Sequence, residues 1–187
     1  MPSPIIKSQV RILRPTEYEL LRTGARTLEN QTRLDTLLLS GLRYVEGQRL
    51  HANPDWVDGR FIHLPEWAQR KAKRKQRERW VKLSDKGKTV LPFFFKTKPL
   101  PDWKVWTDNL QRWAVRAGLD PRSLGVKSTR KSWESWLLAQ HPERTMEIVL
   151  SMGHDEVTSV RHYAGLPFTK ADKEAMVEWT SGWAEAR

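Results

Sequence analysis

The chain has 187 residues, with 33 Lys and Arg against 22 Asp and Glu and a formal charge of +11. That length suits one ordinary domain with a substantial core, and the charge favours a polyanionic partner, nucleic acid first. The absence of cysteine excludes disulfides and thiolate metal ligands and agrees with a reducing, cytoplasmic setting, while the lack of any apolar run near the ~20 residues of a spanning helix excludes a transmembrane segment.

No signal peptide is visible. The five histidines show no metal-ligand spacing with nearby carboxylates, so no metal is expected.

In chain order, residues 1–15 read as a loose lead-in. "RPTEYELLRTGAR" carries a Thr-x-x-Glu capping box, Thr16 to Glu19, which predicts a helix from Thr16. "QTRLDTLLLSGLRYVEGQRL" places Leu34, Leu37, Leu38 and Leu42 at helical spacing, broken at Ser40-Gly41, and predicts a helix running into a further helical turn. "DWVDGRFIHLP" and "RERWVKLS" are short β-rich runs, with Asp58-Gly59 as a tight turn between the first two strands, and together they predict a small three-stranded antiparallel sheet.

Between those strands, "WAQRKAKRKQRER" is the densest basic stretch. Its Lys71, Lys73, Lys75, Arg77 and Arg79 alternate as an extended hairpin arm would, and they are candidate phosphate-binding cations. "DWKVWTDNLQRWAVRAGL" puts Trp103, Trp106, Leu110, Trp113 and Ala117 on one helical face that is expected to be core, ending at Gly118. "STRKSWESWLLAQH", "RTMEIVLSMGH" and the short "VTSVRHYAG" predict three more helices. The tail helix, 169–183, sets Met176, Trp179 and Trp183 in a stripe behind a Thr169 cap. The expected class is therefore α+β and mainly α-helical.

Three separated pieces align: "GLRYVEG" with Arg43, "KSTRKSW" with Lys127 and Arg130, and "GHDEVTSVRHY" with His154 and Tyr163. From 130 to 154 is 24 positions, and from 154 to 163 nine more. In order and spacing these pieces resemble the tyrosine recombinase (phage integrase) family, and the resemblance runs from Thr16 through the tail. Where that family commonly has His-x-x-Arg, this chain has Lys127-Ser128-Thr129-Arg130, as some integrases of archaeal viruses do.

The resemblance implies a tyrosine recombinase catalytic-domain fold over 16–187, without an N-terminal core-binding domain. It also implies double-stranded DNA as partner, a tetramer on synapsed DNA from a monomer free in solution, and no cofactor. On that resemblance the chain would be either a fragment or a naturally minimal recombinase. In such a family the tail packs on a neighbouring subunit; docking in cis on its own domain is the alternative.

The chemistry has a physical reading of its own. Tyrosine attacks phosphorus and holds the strand as a covalent ester, so that rejoining needs no nucleotide cofactor. Arg43 and Arg130 suit a phosphate clamp because guanidinium is always charged and offers paired donors in a fixed plane. Glu46, three residues beyond Arg43, is placed to orient it. Lys127 supplies a charged contact, and His154, just after a helix end, donates to the phosphate or handles the tyrosine proton. The resemblance places the acid for the departing 5′ oxygen on a hairpin lysine, Lys73 by choice, with Lys71 and Lys75 as alternatives. Two other functions are compatible with the residues: type IB topoisomerase-like DNA relaxation, and a noncatalytic DNA-binding module.

Overall fold

The computed structural model describes residues 3–68, 78–153 and 165–185. Among these residues the chain is α+β, with eight α-helices, a two-stranded hairpin and a three-stranded antiparallel sheet. None of the described helices is long and apolar enough to cross a membrane.

The N-terminus corrects the first expectation. Instead of a loose lead-in, β1 (Ile5–Lys7) pairs antiparallel with β2 (Val10–Ile12), and Ile5 faces Ile12. The turn residues Ser8 and Gln9 both have positive φ, 47° and 58°. That is the backbone a two-residue hairpin requires, made here without the Asn-Gly or Asp-Gly that would announce it. The hairpin is pinned to the interior: Leu13 N donates to Ser132 Oγ at 2.8 Å, and Trp136 Nε1 donates to the Leu13 carbonyl at 2.9 Å.

Helix α1 (Pro15–Gly24) begins before Thr16, and the predicted Thr16–Glu19 box does not form. Pro15 supplies the preset φ of a first helical residue, and the Glu17 carboxylate, not Glu19, accepts from the Arg14 backbone N–H at 2.9 Å. Glu17 also pairs with Arg11 at 2.7 Å, a buried link back to β2. The hairpin therefore selects which glutamate caps the helix.

Helix α2 (Leu28–Ser40), capped by Thr27, ends at Gly41 in the left-handed region, and α3 (Tyr44–Ala52) follows at once. The sheet has the order β3 (Val57–Asp58), β4 (Phe61–Leu64), β5 (Arg79–Lys82), with Gly59 at positive φ in the first turn, as its sequence predicts. Helix α4 (Asp85–Phe94) has no counterpart among the sequence expectations, because Gly87 and Pro92 inside it are poor helix residues. Ser84 caps it, and its Leu91 and Phe94 are buried where it packs along α2.

Helix α5 (Trp103–Arg116) buries Trp106, Leu110, Trp113 and Ala114. Trp103, expected on the same inner face, is 48% exposed at the first turn, beyond the reach of that face. Helix α6 (Ser128–Gln140) is the hub, packed by α2, β2 and α7 (Thr145–Met152). The tail helix α8 (Lys170–Thr180) also lies on α6, with further contacts to α1 and α4.

The tail thus docks in cis. Thr169 and Asp172 cap α8 reciprocally, and Asp172 pairs with the buried Arg14. Met176, Trp179 and Trp183 are all buried, although α8 itself stops at Thr180. Trp179 meets the rings of Tyr18 and Trp136, and Trp183 Nε1 donates to the Lys82 carbonyl at 3.0 Å. The short helix expected in "VTSVRHYAG" falls mostly outside the described residues.

Candidate phosphate-binding site

The corner between α2 and α3 places Arg43. Gly41 turns the chain at φ +59°, and a Cβ on it would lie 2.5 Å from Met152 Cε and 2.8 Å from Trp133 Cδ1, so only glycine fits between α6 and α7 there. Two residues later Arg43 stands just ahead of α3. Its backbone N–H and its Nη1 both donate to the carboxylate of Glu46 at 2.8 Å, while its Nη2 donates to the Gly153 carbonyl at 3.0 Å. The Arg43 side chain remains 27% exposed, so this is the end of the cluster that meets solvent.

Arg130 enters from the first turn of α6 and is buried. Its Nη1 donates to the Gly41 carbonyl at 2.6 Å and its Nη2 to the Met152 carbonyl. Burial lowers its pKa to about 10, with repulsion from Arg43 and Arg79 added and Glu46 opposing, so it stays charged at neutral pH. Lys127 precedes it by three residues at the N-cap position of the same helix and is exposed.

Arg79 departs from its expected place. Read from sequence as an outer phosphate contact of the basic arm, it is instead buried, because strand alternation turns Arg79 and Val81 inward and Trp80 outward. Its Nη2 and Nη1 grip the Glu46 carboxylate at 2.8 and 3.2 Å, and its Nε donates to the Ser151 carbonyl at 3.1 Å.

Glu46 is fully buried at 0% exposure. Burial alone would raise its carboxyl, but the Arg79 guanidinium, with Arg130 and Arg43 beside it, outweighs that and holds it at about 2. Three guanidiniums surround Glu46, with the buried Glu134 a further carboxylate near Arg130, and positive charge stays in excess. The carbonyls of Ser151, Met152 and Gly153, at the negative end of α7, offset part of it. What remains is an arginine-built basic site whose outer face is suited to an anion with several oxygens.

The structure therefore brings together Arg43, Arg130 and Glu46, with Lys127 at the same helix end as Arg130, and adds Arg79 to their interior. His154 is the next residue in sequence after Gly153. His154 itself, Tyr163, Lys71, Lys73, Lys75 and Arg77 lie outside the described residues. Sequence spacing missed the packing role of the two glycines. Gly153 has φ +64°, and a Cβ there would lie 2.8 Å from Arg79 Cδ. A glycine before the histidine was visible; the arginine stem it accommodates was not.

No protein-family model, no curated protein and no solved structure matches this chain.

Proposed function

We propose that the chain is a site-specific DNA recombinase that cuts and rejoins strands through a 3′-phosphotyrosyl intermediate on Tyr163, with the fold of a tyrosine recombinase catalytic domain. The observation that carries this reading is the convergence of Arg43 and Arg130, 87 positions apart in sequence, on the neighbouring carbonyls of Gly153 and Met152, one residue ahead of His154. Such a site neutralises the non-bridging oxygens of a phosphodiester as charge builds on them.

The step balances within the chain. The Tyr163 oxygen bonds to phosphorus, its proton passes to His154, and the bond from phosphorus to the 5′ oxygen breaks. A hairpin lysine, Lys73 with Lys71 and Lys75 as alternatives, protonates that oxygen so that no alkoxide is expelled. Lys127 adds charge near the same phosphate. Reversal with a partner strand's 5′ hydroxyl completes exchange without a cofactor. Double-stranded DNA is the partner, bound by a tetramer in the cytoplasm, and Lys71, Lys75 and Arg77 supply salt-sensitive affinity.

A nicked suicide duplex incubated with protein in EDTA and run on a denaturing gel tests the proposal. A covalent adduct lost in Tyr163→Phe is expected. Retardation without an adduct overturns it in favour of a noncatalytic DNA-binding module, and relaxation of plasmid lacking any recombination site points to topoisomerase-like activity.

A further inference from the structure

Arg79 links two parts of the site that no continuous stretch of chain connects. Its terminal nitrogens hold both oxygens of Glu46, the same carboxylate that receives the backbone and side chain of Arg43. Its Nε holds the Ser151 carbonyl, two residues before the Gly153 carbonyl that Arg43 also bonds. The backbone at Gly153 lies directly on the Arg79 stem, so closely that a Cβ would fall 2.9 Å from Nε. A planar fork with several fixed donors can bridge a carboxylate and a carbonyl at once, whereas an ammonium presents a single point of charge.

We infer that Arg79 is a positioning residue, which makes no DNA contact and instead fixes Arg43 relative to Gly153 by bracketing Glu46 and the end of α7. The consequence for chemistry rests on the strand-transfer reading above; the bracket stands on the geometry alone. Only 6% of the Arg79 side chain is exposed, so a phosphate does not reach it without displacing Glu46. A misplacement of about 1 Å in such a site is enough to cost roughly 100-fold in rate.

The full chain, Arg79→Lys, Arg79→Met and the double variant Arg79→Met/Glu46→Gln are compared. The double variant leaves no uncompensated buried carboxylate and keeps the test alive if the single variant folds poorly, and it is read against Glu46→Gln alone because Glu46 also holds Arg43 directly. Duplex affinity over a salt series, single-turnover adduct formation at saturating DNA, and hydrogen exchange at the Arg43 and Gly153 amides are the readouts.

In Arg79→Met and the double variant, adduct formation at saturation is expected to fall about 100-fold, with affinity within about 2-fold of the parent and an unchanged salt slope. Arg79→Lys recovers less than about one tenth of the lost rate. Exchange at both amides rises together, while the Asn30 amide in α2 keeps its protection. A salt slope lowered by about 0.9, the loss of one phosphate contact, overturns the inference, as does a parental adduct rate in both methionine variants. Should the parent chain form no adduct, the strand-transfer reading falls by itself. The bracket is then decided by exchange and salt slope: unchanged exchange at both amides sinks it, and their joint rise with an unchanged slope sustains it.

Discussion

Arg79 and Glu46 form a buried two-point ion pair, Nη2 to Oε2 at 2.8 Å and Nη1 to Oε1 at 3.2 Å, between the first residue of β5 and the first turn of α3. It joins the sheet to the helix that carries Arg43, and it makes one fully buried carboxylate the counter-charge of three guanidiniums.

Stability should therefore fall with acid through Glu46. The folded carboxyl titrates at about 2 and the free one at 4.5, so the stabilisation it supplies is complete above pH ~5 and is lost as pH drops through the folded value, on the order of 3 kcal/mol in all. Urea unfolding of parent and Glu46→Gln between pH 7 and pH ~3 checks this. The difference between the two should shrink as pH falls; a constant difference would rule the mechanism out.

Gly153→Ala is expected to destabilise by about 1–3 kcal/mol, because a side chain at φ +64° is strained and its Cβ meets a buried Arg79 held by Glu46 and the Ser151 carbonyl. Gly118→Ala is the control, with φ +73° and nothing within 4 Å of the added atom. Equal losses at both sites would mean that backbone strain alone is at work; a larger loss at Gly153 identifies the packing.

The tryptophans should divide by burial. Trp183→Ala removes a fully buried ring and its hydrogen bond to the Lys82 carbonyl, at a cost of about 3–5 kcal/mol. Trp103→Ala, at an exposed first turn, should stay within ~0.5 kcal/mol. Chemical denaturation of the two variants measures both. A small loss at Trp183 would show that the tail is not held in cis.

Arg43→Ala and Arg43→Lys should each lower adduct formation on a suicide duplex by 100-fold or more, equivalent to about 3 kcal/mol, since neither replacement restores paired donors to a phosphate. Single-turnover kinetics at saturating DNA give the number. A fully active Arg43→Lys would reduce the guanidinium to a point charge and remove the clamp argument.

Local rules explain what the amino-acid sequence determined unaided. Leucine spacing located α2, Asp58-Gly59 marked the first sheet turn, Thr169 marked the start of α8, and the α+β, mostly helical class followed, because periodicity and turn chemistry act over a few residues. The order Arg43, Lys127, Arg130, His154, Tyr163 was equally legible, and it is a statement about sequence; of those five, the described structure places the first three.

Tertiary structure alone decided the rest. It paired Ser8-Gln9 into a hairpin, gave the α1 cap to Glu17, folded α4 through Gly87 and Pro92, left Trp103 in solvent, and docked the tail on α6. Above all it drew Arg79 inward from the end of a basic run. Whether an arginine faces water or a buried carboxylate depends on partners 33 and 72 positions away, at Glu46 and Ser151, and no local pattern carries that distance.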